Sequence, residues 1–77
     1  MEARFINMLC EVLERDLPID FDDSLDELQE WDSLAALSLI SMVDEEYGIN
    51  IGSKDFENIN TVGDIYKCIQ TKLDHRQ

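Results

Sequence analysis

The sequence predicts an all-α fold, a small four-helix bundle with three principal helices, one short helix and a long first loop. Apolar residues recur at spacings of three and four in three separate segments, which is the period of a helix, and no segment of strand length alternates cleanly. Glycine and proline are scarce, at 3 and 1 of 77 residues, so breaks are confined to the connections. A chain of this length is expected to form a single domain over residues 1–77.

The first helix is predicted over residues 2–15, and Pro18 prevents its easy continuation. Its apolar face comprises Phe5, Met8, Leu9, Val12 and Leu13. A long acidic connection follows over residues 17–31, with apolar anchors at Ile19, Phe21, Leu25 and Leu28. Ser24 and Glu27 have the spacing of a capping box, which predicts a short helical turn inside this connection.

The second helix is predicted to start at Asp32 or Ser33 and to end at Tyr47, with Gly48 as a left-handed cap. Its predicted core stripe comprises Ala36, Leu39, Ile40, Val43 and Tyr47. A different face mixes apolar and polar side chains, and we expect partner proteins to contact it: Leu34, Leu37, Ser38, Ser41 and Glu45.

Two further helices complete the predicted bundle. Residues 54–58 are expected to form a short helix that buries Phe56. Thr61 and Asp64 have the spacing of a helix cap, and an acid is also favourable at a helix N-terminus. The last helix is then expected to bury Val62, Ile65, Ile69 and Leu73.

The chain is strongly acidic, with 18 acids against 6 Lys and Arg and a formal net charge of −12. This charge repels nucleic acids and anionic lipid surfaces and favours basic protein partners. No apolar run approaches the roughly 20 residues that span a bilayer, and the N-terminus does not resemble a secretory signal. We therefore expect a soluble, cytoplasmic, monomeric protein, with Cys10 and Cys68 as buried reduced thiols.

Residue chemistry argues against self-contained catalysis. The single histidine, His75, lies near the C-terminus, where a solvated tail residue is expected. The spacing of a calcium-binding loop is matched by the alternating Asp20, Asp22, Ser24 and Asp26. However, Leu25 and Trp31 occupy the positions of the loop's glycine and of its bidentate glutamate. No glycine-rich phosphate loop is present. We therefore predict no catalytic residues, no metal site and no enzymatic activity.

The tripeptide Asp32-Ser33-Leu34 is followed by a helix that ends in Asp44-Glu45-Glu46-Tyr47-Gly48-Ile49. In this combination the chain resembles the acyl carrier protein family. The similarity continues without a gap through Ile51, Asp55, Ile59 and Thr61-Val62-Gly63-Asp64-Ile65, so it covers residues 32–69 well.

The resemblance implies that Ser33 receives 4′-phosphopantetheine from coenzyme A, and that the thiol of this arm carries an acyl group as a thioester. A serine hydroxyl is a poor nucleophile without a base. A separate phosphopantetheinyl transferase must therefore activate it, with Asp32 helping to position the magnesium-bound pyrophosphate of coenzyme A. The alternative for Ser33 is a plain helix cap. Asp23-Ser24-Leu25 repeats the tripeptide, but no long amphipathic helix with an acidic end follows it at the family spacing.

Several positions depart from the family pattern. Carriers of fatty acid synthesis usually have a glycine two residues before the Asp-Ser pair and acids two and five residues after the serine. This chain has Glu30-Trp31, and then Ala35 and Ser38, in those places. Partner enzymes read that helix face through basic side chains, so we hypothesise a specialised carrier of a surface polysaccharide or secondary metabolite pathway. Trp31 is expected to be a lid on the loop or a contact for a partner.

The family's cargo pocket maps onto Val43, Ile51, Phe56, Ile59 and Ile65. Phe56 and Ile65 are larger than the residues often found there, which predicts a filled pocket and short or polar cargo outside the core; alternatively they are ordinary core residues. Two other functions stay open at this point. One is a peptidyl or aminoacyl carrier of the same fold, and the other is an unmodified acidic helical interaction module that would tolerate Ser33→Ala.

Overall fold

A computed structural model describes residues 2–15 and 18–75, and it confirms the predicted all-α fold class. Within these residues there are four α-helices, α1 (Glu2–Leu13), α2 (Ser33–Tyr47), α3 (Ser53–Phe56) and α4 (Val62–His75). A 3₁₀ turn over Leu25–Glu27 lies in the long first loop. Leu17, where that loop was predicted to begin, lies outside the described residues. No described helix is long and apolar enough to cross a membrane.

Helix α1 ends two residues earlier than predicted, because Glu14 adopts the left-handed conformation with a φ of 52°. The Arg15 amide then donates to the Cys10 carbonyl at 3.0 Å, and the Glu14 amide donates to the Glu11 carbonyl at 3.1 Å. These two bonds form a Schellman motif, which satisfies the last carbonyls of a helix. The sequence holds no glycine there to indicate this ending.

The core lies between α1, α2 and α4. Its fully buried side chains are Phe5, Leu9, Leu39, Val43, Val62, Ile65 and Ile69. On α2 the predicted stripe is wrong by one residue at its start, since Ala35 is buried and Ala36 is half-buried. Ile40 and Tyr47, also assigned to the core, are half-buried as well. Residues 35, 39 and 43 repeat every four positions and form the narrow strip that contacts the core. Ile40 lies beside this strip, and Tyr47 continues it as the last residue of α2, where its side chain is only half-buried.

The long loop is held against the start of α4 by backbone hydrogen bonds. Leu25 N donates to Asn60 O at 2.9 Å, Val62 N to Asp23 O at 3.0 Å, and Gly63 N to Phe21 O at 2.8 Å. The Phe21 ring packs against Phe5 and Tyr66, with ring centroids 6.2 and 5.3 Å apart, respectively. The loop that leads into α2 is therefore anchored to both α1 and α4.

The predicted capping box at Ser24 is wrong in its chemistry, although the helical turn is present. The Ser24 side chain makes no cap hydrogen bond, and the turn is closed by Glu27 N donating to the Ser24 backbone carbonyl at 3.0 Å. Ser24 instead pairs with Thr61 in an isolated antiparallel bridge. The Ser24 backbone is extended, as this bridge requires, so the residue pairs with the segment that leads into α4.

The cap predicted at Thr61 and Asp64 is confirmed. Thr61 Oγ1 accepts from Asp64 N at 3.2 Å, and the Asp64 carboxylate accepts from Thr61 N at 3.1 Å. The short helix predicted over residues 54–58 is present but spans Ser53–Phe56. Phe56 at its end is half-buried, not buried as predicted. At α4's other end Leu73 is half-buried too.

Both thiols were predicted to be buried, but Cys10 and Cys68 are half-buried free cysteines. They lie beside the buried stripes of α1 and α4 and not within them.

Candidate functional site

Ser33 is the first residue of α2, and its side chain is exposed to solvent. Asp32 occupies the N-cap position, with its Oδ1 atom accepting from Ala35 N at 2.8 Å. The interpretation of Ser33 as a plain helix cap is therefore wrong. Among the described residues the Ser33 hydroxyl makes no hydrogen bond, so its oxygen is accessible for chemistry.

The start of α2 carries backbone donors without helical acceptors. The first intrahelical bond runs from Ala36 N to Asp32 O at 3.0 Å, so the amides of Ser33 and Leu34 precede the hydrogen-bonded ladder. The helix dipole places partial positive charge at this end. A phosphate ester on Ser33 would lie in a favourable field.

A cleft of about 320 Å³ opens directly beside Ser33. It is lined by parts of the loop, of α2 and of the segment between α3 and α4, and Asp26, Asp32 and Asn60 make it partly polar. Sequence reasoning missed Leu25, Asp26, Ala36 and Asn60 as members of this cleft. No local signal could have found Asn60, because the bond from Leu25 N to Asn60 O brings it there from a distant part of the chain.

Trp31 and Phe56 form an aromatic pair at this cleft, with ring centroids 6.2 Å apart and planes tilted by 40°. Both side chains are half-buried. The pair joins the loop before α2 to the end of α3, and tilted aromatic contacts of this kind are favourable. The structure thus packs Trp31 against the last residue of α3, and its role as a lid on the loop or as a contact for a partner stays a prediction.

The residue before Trp31 is also anchored. Arg15 Nη1 donates to Glu30 Oε1 at 2.8 Å, in a pair whose side chains are less than half exposed. The pKa of Glu30 is lowered, first by a hydrogen bond from its own backbone amide and then by Arg15. Together with Trp31 N donating to Leu28 O at 3.0 Å, these bonds hold the approach to Ser33.

All members of the predicted partner-contacting face are exposed on α2. Leu34 and Leu37 stand out as large apolar side chains with 71% and 62% of their surface exposed, and Ser38, Ser41 and Glu45 are exposed beside them. Ala35 was expected to share the face that partners read, but it is 7% exposed and belongs to the core. Alanine in place of an acid at this position therefore changes the side of α2 that faces the core, not the side that partners contact.

The predicted cargo-pocket residues fall into two groups. Val43 and Ile65 are fully buried and Ile51 is 3% exposed, all within one hydrophobic core. Phe56 and Ile59 line the cleft beside Ser33, which does not reach the first three residues. All five residues pack in one region, but only Phe56 and Ile59 line the cleft beside Ser33.

The repeated tripeptide at Ser24 has different surroundings. Ser24 is half-buried, its backbone pairs with Thr61, and only a three-residue turn follows it. It therefore lacks both the exposure of Ser33 and the long helix that supplies a positive end.

A larger cleft of about 680 Å³ lies along α4 and does not include Ser33. It is lined in part by Asp55 and Lys72, whose carboxylate and ammonium groups are 3.3 Å apart, and by Asp64 and Lys67. Its two acids and two lysines balance in charge. In the described part of the chain, no group of three or more His, Cys, Asp or Glu side chains could hold a metal ion. We therefore place the site at the smaller cleft, beside the exposed serine.

Comparisons with known proteins agree on one family. The family model described as "Phosphopantetheine attachment site" matches residues 3–69. An acyl carrier protein of Rickettsia massiliae (strain Mtu5) is 34% identical over 74 residues, which cover 94% of this chain and 85% of that protein.

Solved structures agree as well. A Mycobacterium tuberculosis protein, provisionally named an acyl carrier protein, has 30% identity and a TM-score of 0.81, covering 91% of this chain and 95% of its own. The holo acyl carrier protein of Geobacter metallireducens has a TM-score of 0.84 at 21% identity, covering 96% and 86% of the two chains, and it supports the fold. The chain therefore belongs to the acyl carrier protein family, and its role is that of a carrier with covalently attached 4′-phosphopantetheine.

Proposed function

We propose that Ser33 is the attachment residue, and that this single-domain chain (residues 1–77) presents acyl thioesters to separate enzymes without catalysing a reaction itself. The observation that carries this proposal is the exposed Ser33 hydroxyl at the start of α2, beside a cleft and relieved of capping by Asp32. The arm, when attached, supplies a flexible thiol that holds the acyl group as a thioester.

Attachment needs a base to accept the Ser33 hydroxyl proton, and no histidine lines the cleft beside it. Ser33 Oγ forms the new bond to phosphorus, the pyrophosphate bond of coenzyme A breaks, and adenosine 3′,5′-bisphosphate leaves. The hydroxyl proton must pass to a base, yet the single histidine, His75, ends α4 and does not line the cleft beside Ser33. A phosphopantetheinyl transferase therefore supplies the base.

The residues around Ser33 suit the resulting phosphodiester. The amides of Ser33 and Leu34 have no intrahelical acceptors and can donate to its oxygens. Asp32 uses one carboxylate oxygen to cap the helix, so the other is available in the transferase complex to orient the magnesium-bound pyrophosphate of coenzyme A. This assignment gives Asp32 two roles, one in folding and one in modification.

Partner enzymes are proposed to dock on the exposed face of α2. Leu34 and Leu37 supply apolar contact area, and Ser38, Ser41 and Glu45 surround them. The formal net charge of −12 favours acyl-loading, synthase and transferase enzymes with basic docking surfaces. Ser38, where an acid is common, points to partners other than the housekeeping fatty acid synthase, as in a surface polysaccharide or secondary metabolite pathway.

In this account the carrier acts as a cytoplasmic monomer. The assignment to a dedicated pathway is tested by offering the protein to a housekeeping fatty acid synthase. We expect slow elongation, and elongation at the full rate would contradict a specialised carrier.

The attachment proposal is tested by intact mass before and after incubation with coenzyme A, magnesium and a broad-specificity phosphopantetheinyl transferase. We expect a gain of about 340 Da, the mass of the arm, in wild type and in Ser24→Ala, and no gain in Ser33→Ala. Persistence of the gain in Ser33→Ala would contradict the assigned site. No gain with several transferases, in a folded protein that starts without the arm, would favour an unmodified interaction module.

A further inference from the structure

We propose that the Trp31–Phe56 pair closes the Ser33 cleft toward the core, so that the cleft holds the arm itself and the carrier takes short cargo that stays outside the core. This inference rests on the proposed attachment at Ser33. It assigns to Trp31 and Phe56 the role of specificity-determining residues for the length of the cargo.

The two residues of the pair line the cleft from two separate segments of the chain. Trp31 precedes the attachment residue by two positions, and Phe56 is the last residue of α3. Their rings lie 6.2 Å apart between centroids, and both line the cleft. The Arg15–Glu30 pair and the bond from Trp31 N to Leu28 O hold the loop side in place. The two rings therefore contact each other at the cleft, beside the more deeply buried lining residues Leu25 and Ile59.

The cleft has the size of the arm alone. Its volume is about 320 Å³, at the lower end of the roughly 300–1,000 Å³ of pockets for drug-sized ligands. We expect the arm, at about 340 Da, to occupy most of this small cleft. Its lining also matches the arm, since Asp26 and Asn60 offer acceptors for amide N–H groups and Trp31 offers an apolar ring.

A long alkyl chain matches this cleft poorly. Covering Asp26, Asp32 and Asn60 with methylene groups would remove them from water without replacing their hydrogen bonds. Beyond the pair, Val43 and Ile65 are fully buried and Ile51 is 3% exposed, so the core is filled by its own side chains. Long cargo would therefore remain on the surface, while short cargo stays at the mouth of the cleft.

The test uses Trp31 as a reporter, because it is the single tryptophan of the chain. Intact mass first establishes that the arm is present. We then expect arm attachment to shift Trp31 emission and to protect it from a soluble quencher. A mass gain without any change at Trp31 would overturn the inference and leave the attachment proposal intact. A missing mass gain would contradict the attachment proposal itself.

Cargo length is tested by loading acetyl or dodecanoyl pantetheine arms from the corresponding coenzyme A thioesters. The measured quantity is the rate at which hydroxylamine cleaves each thioester. In the wild type we expect the two rates to agree within about twofold. A dodecanoyl thioester cleaved about tenfold more slowly, equivalent to about 1.4 kcal/mol of sequestration, would overturn the inference.

Phe56→Ala provides the matching gain of function, because it opens the route between the cleft and the core. The dodecanoyl thioester of this variant is expected to be cleaved about tenfold more slowly than in the wild type. Phe21→Ala is the matched control, since Phe21 is also half-buried but packs on Phe5 and Tyr66 away from the cleft. Equal protection in both variants would contradict the role of the pair. If Phe56→Ala does not fold, the inference is tested by Phe56→Leu and by the comparison of acetyl and dodecanoyl thioesters on the wild type.

Discussion

Asp32 and Ser33 divide two tasks at the start of α2. The Asp32 carboxylate caps the helix through Ala35 N, and the neighbouring hydroxyl is left exposed. Had the serine been the cap, its oxygen would have been occupied by a backbone amide. At the scale of single residues, the acid therefore relieves its neighbour of a structural role.

Asp32→Ala is expected to lower the free energy of unfolding by about 1 kcal/mol, because it removes an N-cap acceptor. Asp32→Asn is expected to retain most of the stability, since asparagine caps helices about as well. Urea unfolding of both variants measures this, with Asp22→Ala as a control, an exposed acid of the same loop with the same loss of charge. Equal stability of Asp32→Ala and Asp22→Ala would contradict the capping role.

Asp64 makes the fold sensitive to acid. Its carboxylate accepts from Asn60 N at 3.0 Å and from Thr61 N at 3.1 Å. The backbone hydrogen bond from Asn60 lowers its pKa most, followed by that from Thr61. Because the pKa is lower in the folded state, the group contributes stability above its unfolded pKa, near 4. That contribution is lost as the pH falls through the folded pKa.

Asp64→Asn is therefore expected to be less stable than the wild type at neutral pH, and this difference is expected to shrink below about pH 4. Urea unfolding over a pH series measures it. Asp74→Asn, an exposed site later in α4, serves as the charge-matched control. A stability difference for Asp64→Asn that stays constant down to the lowest pH would show that its ionisation is not linked to folding.

At the scale of elements, the long loop behaves as part of the bundle because it is bonded to the start of α4. Gly63 is the tightest point of this contact. A Cβ atom there would lie 3.1 Å from the Phe21 carbonyl oxygen, which also accepts the Gly63 amide at 2.8 Å. A side chain at position 63 would therefore push away the loop segment that this hydrogen bond holds in place.

Gly63→Ala is expected to lower the free energy of unfolding by about 1 kcal/mol or more, because overpacking outweighs the better helix propensity of alanine. Gly52→Ala is the matched control. A Cβ there meets only the Asp55 carboxylate at 3.9 Å, and loss of the glycine cap is expected to cost about 0.5 kcal/mol. Urea unfolding that finds Gly63→Ala as stable as the wild type would contradict the close approach.

The elements differ in how far the sequence predicts them. Helices α2 and α4 could be predicted because apolar spacing, Gly48 and the Thr61–Asp64 pair all indicate the same boundaries. The end of α1 could not, since Glu14 adopts a conformation that glutamate seldom shows and that only the surrounding fold enforces. Periodicity also failed to separate Ala35 from Ala36, because both are small apolar residues at helical spacing from Leu39.

At the scale of the whole molecule, the net charge of −12 opposes the compact state through self-repulsion. Exposed pairs such as Arg4–Glu46, which joins α1 to α2, offset little of this. The same charge that destabilises the folded chain provides the field that attracts basic partner surfaces. Stability and recognition are therefore linked through ionic strength.

Raising sodium chloride from about 0.01 M to about 0.15 M is expected to raise Tm, because the Debye length falls from about 30 Å to about 8 Å and weakens the repulsion. Thermal unfolding by circular dichroism measures this. Sodium perchlorate at the same ionic strengths is the control, and we expect it to act in the same direction. A Tm that does not change with ionic strength would contradict a destabilising effect of charge repulsion.

The site shows how local and distant information combine over the whole chain. The exposed serine at the start of α2 and the exposed face of that helix could be predicted because they lie on one helix next to a recognisable tripeptide. The cleft could not, because Trp31, Phe56 and Asn60 come from segments that only the tertiary fold brings together. Contacts between distant segments leave no periodic pattern in the sequence.

The central claim, that Ser33 carries the arm, is tested most directly on the wild-type protein by locating the added mass. Residues 15 and 54 flank a stretch without Lys or Arg, so one tryptic peptide contains both Ser24 and Ser33. Cleavage after Glu27 or Glu30 separates the two serines. We predict that the added mass of about 340 Da stays with the fragment that contains Ser33. An added mass on the fragment with Ser24 would contradict the account.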